Sequence, residues 1–290
     1  MDPLYLQAFL GGLTAGSIYA MIALGFTLVY RSTTVINFAH GELVMLGAFL
    51  AISGVVTFKL PLAAAVLIAV VLSGVIGVVF ERLMVNPVRN QPPFVLILIT
   101  LGASALFRGL AMVIWGKDAL PLPSFSGGQP IEIAGASLLP QVVWILAGTA
   151  ATVALLSLFL NQTIWGKALR ACAENPHAAG LVGIDVGKMV RLSFLLSAVI
   201  GGLAGVLITP VTTMDFQAGF LLAMKGLTGA IIGGLERVSG VVAGAILLGL
   251  IESFSSVFIS SAMKDAVAFL ILILVLYLWP QGIFGQREQR

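Results

Sequence analysis

The sequence predicts an all-α polytopic membrane protein, and its composition, its apolar segments and its charge distribution each indicate that class. Of its 290 residues, 59% are hydrophobic and only 9% are charged, whereas soluble globular chains carry about 25% charged residues. The 33 glycines suit such a protein, because helices in a bilayer associate through small residues that let their backbones approach closely. We therefore expect a single transmembrane domain over residues 1–290.

Nine apolar segments are candidates for transmembrane helices, since a bilayer core of about 30 Å needs about 20 apolar residues in a helix. They are residues 4–30, 41–58, 61–80, 93–115, 141–160, 192–212, 219–235, 241–259 and 265–280. The segment 219–235 is the weakest candidate, because it is rich in glycine and contains Lys225. If it folds back without crossing, eight spans remain. The chain then has a first half at 4–160, a loop at 161–191, a second half at 192–280 and a tail at 281–290.

The distribution of Lys and Arg predicts the orientation in the membrane, because cytoplasmic segments carry an excess of both. With an outside N-terminus and nine spans, ten of the 15 Lys and Arg residues fall inside and three outside. The loop 161–191 and the tail 281–290 are therefore expected in the cytoplasm. The segment 116–140, rich in Pro and Gly, is expected outside, as a plain connector or as a partial lid. The sequence pI near 9.2 follows from this topology, and no nucleic-acid partner is expected.

The loop 161–191 is the only long segment that is both rich in charge and suited to helices. Residues 167–174 favour a helix, which Asn175-Pro176 should end, because the residue before a proline avoids the α region. A second short helix is expected at residues 177–181, closed by Gly183. Two short helices at a membrane surface suit the docking of a cytosolic partner, and an ordinary basic loop is the alternative.

A polar cluster lies where the first two spans meet. The run Ile36-Asn37-Phe38-Ala39-His40-Gly41-Glu42-Leu43 places Asn, His and Glu within six residues. Polar groups in apolar surroundings must be paired or face a cavity, so Asn37, His40 and Glu42 are candidates for a translocation path. In the alternative they only fix a turn, which Gly41 permits and in which Asn37 caps backbone amides.

An internal repeat relates this run to the second half of the chain. Residues 36–41 and 214–219 share an apolar-[Asn/Asp]-Phe-x-x-Gly pattern, and a Thr-Thr pair precedes each. An odd number of spans separates the two, which predicts opposite orientations in the membrane, as in inverted-topology repeats. Chance similarity is the alternative, because the match is short. The repeat adds Asp215 to the candidate path.

Ionisable side chains within spans are functional candidates by default. Glu252 is the clearest carboxylate of this kind, and we include it in the candidate path. Arg108 and Glu252 are also candidates for a structural ion pair.

The central loop resembles the coupling loop of branched-chain amino-acid ABC importer permeases. The resemblance is carried by the runs Gly166-Lys167-Ala168-Leu169-Arg170-Ala171, Glu174-Asn175-Pro176, Ala178-Ala179 and Leu181-x-Gly183-Ile184-Asp185. The run from Asn37 to Glu42 is similar to an N-[FM]-A-H-G-E motif of the same family. The resemblance implies a multi-pass permease subunit of the bacterial cytoplasmic membrane that translocates leucine, isoleucine or valine.

The same resemblance implies partners and a docking site. The partners are a second homologous permease subunit, two cytosolic ATPase subunits that bind the ATP, an external solute-binding protein and membrane lipid. Docking on the ATPase falls to residues of the loop, with apolar side chains in its groove and charged ones at its rim. These residues are Gly166, Leu169, Arg170, Glu174, Pro176, Ala178, Ala179, Leu181 and Gly183.

Several catalytic motifs do not occur in the sequence. There is no G-x-x-x-x-G-K-[ST] phosphate loop, so we do not expect the chain to hydrolyse ATP by itself. H-E-x-x-H and G-x-S-x-G do not occur either, and no metal site or cofactor is expected. Two alternatives stay open. One is a related permease for urea or short-chain amides, and the other is an ion-coupled carrier working alone, which needs carboxylates such as Glu252 at the membrane midplane.

Overall fold

The computed structural model describes residues 3–133, 135–235, 237–261 and 263–285. Within these ranges the chain folds into eleven α-helices and one two-stranded sheet. The helices are α1 (Pro3–Thr33), α2 (His40–Val56), α3 (Leu62–Phe80), α4 (Pro93–Trp115), α5 (Pro140–Gln162), α6 (Ile164–Glu174), α7 (Pro176–Leu181), α8 (Val186–Thr212), α9 (Ala218–Gly233), α10 (Val238–Phe258) and α11 (Lys264–Leu278). A π-helical turn (Glu81–Val85) and a 3-10 turn (Asn86–Val88) follow α3. The end of the predicted tail, 286–290, lies outside the described residues.

The nine predicted spans correspond in order to α1–α5 and α8–α11. Six helices of the described chain, namely α1, α3, α4, α5, α8 and α10, are long and apolar enough to cross a membrane. The prediction of an all-α polytopic membrane protein is confirmed. The other three are short apolar helices, and at 1.5 Å per residue α2 and α9 reach only about 26 and 24 Å. Both are therefore shorter than a bilayer core.

The segment 116–140 contains a β-hairpin that the sequence did not predict. Strands β1 (Ile131–Ile133) and β2 (Ala136–Leu138) pair antiparallel, with Ile131 opposite Leu138. The Gln7 side chain exchanges two hydrogen bonds with the backbone of Ser137, at 2.9 and 3.0 Å, and so joins the hairpin to the start of α1. Strands of three residues are too short to show the alternating pattern that reveals a strand in a sequence.

The bundle has two distinct ends. We call the end that carries β1 and β2 the hairpin end, and the end that carries α6 and α7 the loop-helix end. α1 runs from the first to the second, since Gln7 binds Ser137 and Leu28 lies beside Leu169 of α6.

α1 forms the centre of the bundle, and glycines bring α10 close to it. A Cβ atom on Gly12 would lie 2.8 Å from Leu250 Cα, and one on Gly16 would lie 2.7 Å from Ile246 Cα. Real Cβ atoms essentially never come within 3.0 Å of such an atom, so both positions need glycine. Small residues of this kind are what allow close packing in a bilayer, where lipid is as apolar as the side chains.

Candidate functional site

Two non-helical segments, residues 34–39 and 213–217, lead into α2 and α9. Thr34 and Thr213 follow the ends of α1 and α8, and their φ angles are 57° and 58°. A positive φ is uncommon for a β-branched residue. The two segments of the predicted repeat therefore share a backbone feature as well as a sequence pattern.

The polar residue at the second position of each repeat, Asn37 or Asp215, accepts hydrogen bonds from backbone N–H groups at or just before the start of the following helix. Asn37 Oδ1 accepts a hydrogen bond of 3.1 Å from the Ala39 N–H. Asp215 Oδ1 accepts bonds of 2.7 and 3.0 Å from the N–H groups of Gln217 and Ala218. Asn37 therefore binds one backbone amide just before α2, although the N-cap of α2 itself has no side-chain hydrogen bond, and Asp215 makes a similar contact before α9.

The two segments enter the bundle from opposite ends. Val35 packs with Val85 of the π-helical turn. Glu81 of the same turn binds Arg191 near the start of α8, so residues 34–39 lie towards the loop-helix end. Met214 instead exchanges backbone hydrogen bonds of 2.8 and 2.9 Å with Leu120, in the segment that carries the hairpin. This arrangement is the one expected of an inverted repeat.

The first turns of α2 and α9 meet at Gly41 and Gly219. A Cβ atom on either glycine would collide with the backbone oxygen of the other. Gly41 is helical, so our expectation that it permits a turn is wrong, and close approach of the two helices is what requires glycine there.

His40 connects α2 to two neighbouring helices. The side chain is completely buried. Its Nε2 lies 3.1 Å from the carbonyl oxygen of Ile22, and its Nδ1 lies 3.0 Å from Ser197 Oγ. A carbonyl only accepts, so Nε2 donates to Ile22 and Nδ1 of the neutral ring accepts from the Ser197 hydroxyl. The imidazole therefore holds the start of α2 between α1 and α8.

Glu42 is paired with Arg108. Its Oε1 accepts a hydrogen bond of 2.8 Å from the Ser104 hydroxyl and lies 3.5 Å from Arg108 Nε. The Glu42 side chain is 0% exposed and that of Arg108 is 34% exposed. The Arg108 guanidinium also lies over the Phe220 ring, 5.2 Å from its centroid. The predicted ion pair of Arg108 with Glu252 is wrong, because α4 packs against α2 and brings Arg108 to Glu42.

Glu252 belongs to a second polar cluster. One of its carboxylate oxygens binds Lys225 Nζ, and the other accepts a hydrogen bond of 2.7 Å from the Tyr19 hydroxyl. The cluster joins α1, α9 and α10. Lys225 was recognised from the sequence as an ionisable group within a span, and a cation in such a segment is a signal of a paired carboxylate, but its pairing with Glu252 was not predicted.

A cavity of about 620 Å³ opens beside this cluster at the hairpin end. Most of its lining is apolar, from α1, α5, α8 and α9, and includes Ile18 and Leu221. Tyr19, Lys225 and Asp215 supply polar groups. Of the five predicted path residues, Asp215 lines the cavity and Glu252 contacts two residues of its wall. Asn37, His40 and Glu42 are buried in helix packing and are not among the lining residues.

The loop 161–191 contains the two short helices expected from its sequence, α6 and α7, and α6 ends at Glu174, directly before Asn175-Pro176, as predicted. Three side chains cap the helices of this region. Thr163 Oγ1 accepts from Gly166 N–H at 2.9 Å and Asn175 Oδ1 accepts from Ala178 N–H at 2.9 Å. Asp185 Oδ1 accepts from Lys188 N–H at the start of α8, and this hydrogen bond holds the pKa of the Asp185 carboxyl below its ordinary value. Such caps satisfy amides that the first helical turn leaves unpaired.

Two glycines of the loop occupy positions that require them. A Cβ atom on Gly166 would collide with the Phe159 carbonyl oxygen, so α6 can lie close to the end of α5. Gly183 follows α7 with a φ of +87°, a conformation that L side chains rarely adopt.

The apolar residues of the loop point in different directions. Leu169 and Ala179 are 5% and 3% exposed and pack inside this chain, whereas Leu181 and Val182 are 78% and 77% exposed. Our expectation that Leu169 and Ala179 fill a partner's groove is therefore corrected: in this structure they hold the loop helices on the bundle.

The other residues of the predicted docking site lie at or near the surface. Arg170 donates a hydrogen bond of 3.0 Å to Asn161 Oδ1. The exposed members of the set are Glu174, Pro176, Ala178, Leu181 and Gly183. Their contact with an ATPase stays a prediction.

A bundle of membrane-spanning helices with an amphiphilic cavity at one end and a pair of capped surface helices at the other is the architecture of a membrane transport subunit. The family model described as "Branched-chain amino acid transport system / permease component" matches residues 8–276, and the chain belongs to this family.

Relatives match almost the whole chain. It is 34% identical to the high-affinity branched-chain amino acid transport system permease protein LivH of Salmonella typhimurium, over 98% of this chain and 96% of LivH. It is 31% identical to the corresponding protein BraD of Pseudomonas aeruginosa, over 98% and 97%. A probable branched-chain amino acid transport permease of Methanocaldococcus jannaschii is 28% identical, over 95% and 91%.

Proposed function

We propose that this chain is the membrane-spanning permease subunit of an ABC importer that translocates leucine, isoleucine and valine. The observation that carries the proposal is the full-length relationship to LivH, at 34% identity over 98% of the chain. The chain itself is not an enzyme in this proposal. Two cytosolic ATPase subunits bind and hydrolyse ATP, a second homologous permease completes the membrane part, and an external binding protein delivers the solute.

The cavity at the hairpin end supports a path for an aliphatic amino acid. Its volume, about 620 Å³, lies within the range of small-ligand sites, and such sites combine apolar walls with a few polar groups. Lys225 suits the substrate carboxylate, Asp215 suits the ammonium group, and the apolar lining suits a branched side chain. Glu252 and Tyr19 then orient Lys225.

Asn37, His40 and Glu42 fit a supporting role in this path. His40 and Glu42 fix the start of α2 through contacts with α1, α4 and α8, and Asn37 binds the Ala39 amide just before it. The contacts favour the alternative in which the cluster sets local structure. In that case the change between the outward-open and inward-open states would move the starts of these helices. Direct contact of the three with substrate stays a prediction.

The loop helices fit docking on the ATPase. The exposed apolar pair Leu181 and Val182, at the end of α7 and just before Gly183, suits a hydrophobic anchor, and anchors of this kind dominate interface energies. Leu169 and Ala179 keep the helices in place. The hairpin, at the opposite end, suits contact with the binding protein.

The test is purification from native membranes without a crosslinker, followed by uptake in proteoliposomes. We expect ATPase subunits and a second permease to co-purify, and uptake of labelled leucine to require ATP and the binding protein. Urea and acetamide at the same concentration should not compete. Competition by urea would support the related urea or amide permeases instead. Uptake by the chain alone, driven by an ion gradient, would support an ion-coupled carrier and exclude the importer.

A further inference from the structure

A second depression lies at the loop-helix end, far from the amino-acid cavity. It is a groove of about 400 Å³ between α3, α5 and α8, with α6 beside it. The residues that line it are Val78, Phe159, Trp165, Lys188, Arg191, Leu192 and Leu195. One part of this groove is apolar and the other carries two cations.

The guanidinium of Arg191 uses only one of its nitrogen atoms, Nε, in the hydrogen bond that holds it in the bundle. Its Nε binds Glu81 Oε2 at 3.0 Å, and Glu81 is buried. In the part of the chain that the structure describes, its Nη groups make no hydrogen bond, and the side chain is 38% exposed. A partly exposed guanidinium whose Nη groups make no other hydrogen bond can bind the oxygens of a phosphate.

Lys188 is available in the same way. It pairs with Asp185 at 3.3 Å, but both side chains are largely exposed. An exposed pair of this kind is weak, because water solvates both charges. The ammonium group can therefore turn to a stronger anion at the mouth of the groove.

The apolar part of the groove continues along the outside of the bundle. Exposed aliphatic side chains extend from it on α3 and α5, namely Val71, Val75, Val79, Leu155 and Leu158. Trp165 is also exposed, and tryptophan is enriched where a membrane meets water. The surface therefore changes from cationic through aromatic to aliphatic in the order of a lipid's headgroup, interface and acyl chain.

We propose that this groove binds an anionic phospholipid, with its phosphate at Arg191 and Lys188 and an acyl chain between α3 and α5. Basic sites between membrane helices suit anionic headgroups, and the apolar lining favours a lipid over free phosphate. Trp165 belongs to α6, and Lys188 follows the Asp185 cap of α8. A bound lipid would therefore brace the base of the loop helices. The proposal does not depend on the substrate, since it requires only that the chain spans a membrane.

The test is native mass spectrometry of the purified, delipidated complex, titrated with phosphatidylglycerol and with phosphatidylcholine of the same chain length. We expect wild type to bind phosphatidylglycerol about tenfold more tightly, because only its headgroup carries a net charge for the two cations. Lys188→Gln and Arg191→Lys should each remove most of this preference. Arg191→Lys keeps a cation beside Glu81 and so avoids leaving a buried carboxylate unpaired. Leu195→Trp, which fills the acyl part, should weaken both lipids. Lys167→Gln is the matched control, since it removes an exposed cation of α6 that does not line the groove.

Three results would overturn the proposal. One is equal binding of the two lipids by wild type and all variants. Another is competition by inorganic phosphate together with full lipid binding by Leu195→Trp, which would indicate a phosphate site without an acyl site. The third is a photoreactive residue at position 195 that crosslinks a protein subunit and no lipid, which would make the groove a protein interface. Each of these readouts is independent of leucine uptake.

Discussion

Three buried carboxylates in the described part of the chain each contact one cation from another element. Glu42 of α2 contacts Arg108 of α4, and Glu252 of α10 contacts Lys225 of α9. The third, Glu81 in the π-helical turn after α3, binds Arg191 of α8. A buried charge is costly unless it is paired, so each pair specifies which helices must be neighbours.

The Glu42 pair gives a prediction about stability. Arg108→Gln leaves the Glu42 carboxylate buried without a counterion, and we expect the free energy of unfolding to fall by roughly 3 kcal/mol, the lower end for breaking a buried pair, because Arg108 is only partly buried. The double variant Glu42→Gln/Arg108→Gln carries neither charge and should recover most of that loss. Chemical unfolding of the purified protein in micelles measures both. Equal stability of Arg108→Gln and wild type would mean that the pair contributes nothing.

Asp215 gives a prediction about transport. Asp215→Asn removes the charge that we assign to the substrate ammonium group, but it keeps an oxygen that can accept from the Gln217 and Ala218 amides. We therefore expect normal yield and a half-saturating leucine concentration about tenfold higher, as for the loss of a charged hydrogen bond.

Asp118→Asn is the matched control for this experiment. Asp118 is exposed in the segment that carries the hairpin and does not line the cavity. Its uptake kinetics should match wild type. If both variants transport like wild type, Asp215 serves only as a cap and the cavity is not the path that we propose.

At the scale of single residues, the sequence shows which side chains need a partner but not which partner lies within contact distance. Glu42 and Glu252 are both carboxylates in apolar segments, so the sequence cannot decide which of them Arg108 contacts. The packing of α4 on α2 decides it. Likewise, the pattern shows that Asn37, His40 and Glu42 are unusual. Only the contacts of His40 and Glu42 with Ile22, Ser104 and Ser197 show that these two side chains are held within the packing.

Helices were the most predictable elements, because long apolar runs leave the backbone few other ways to satisfy its polar groups in a bilayer. The loop helices were predictable for a different reason, namely that Asn175-Pro176 both ends α6 and starts α7. The sequence did not predict that Leu169 and Ala179 point into the bundle. A family resemblance identifies corresponding positions, but it does not show which side chains are exposed.

The loop helices give a prediction about docking. Leu181→Glu places a charge on the exposed apolar pair, and we expect co-purification of the ATPase to fall at least about fivefold, because buried apolar anchors contribute most of an interface's energy. Ile131→Glu, an exposed apolar residue in the hairpin, is the matched control and should leave co-purification unchanged. If the two variants behave alike, this part of the loop does not dock on the ATPase.

Ala179→Glu should also impair docking, but by a different route. Ala179 is buried within the chain, so a carboxylate there should displace α7 from the bundle. Limited proteolysis of the purified protein distinguishes the two routes. We expect faster cleavage within residues 161–191 for Ala179→Glu and wild-type cleavage for Leu181→Glu. Unchanged proteolysis of Ala179→Glu would contradict the packing role.

At the scale of the molecule, the described part of the chain begins at one end of the bundle and finishes at the other. α1 begins at the hairpin, through Gln7 and Ser137. α11 begins beside the cavity, where Lys264 lines the wall. The chain after α11 returns to the end of α9, where the Ile283 N–H donates to the Ile232 carbonyl at 2.8 Å. Opposite ends require an odd number of crossings, which agrees with nine spans.

This arrangement gives a prediction about topology, testable by cysteine labelling in intact cells. The natural Cys172 is a poor target, because it is buried and burial raises the pKa of its thiol. In a Cys172→Ala background, Ser126→Cys should react with a membrane-impermeant maleimide, because the hairpin end faces outward. Glu174→Cys and Gln281→Cys should react only after the membrane is permeabilised, since the excess of Lys and Arg predicts that the loop-helix end of the bundle faces the cytoplasm. Labelling of Gln281→Cys in intact cells, together with protection of Glu174→Cys, would put the two positions on opposite sides and rule out nine crossings. Labelling of both would invert the whole orientation and place the proposed docking helices out of reach of a cytosolic ATPase.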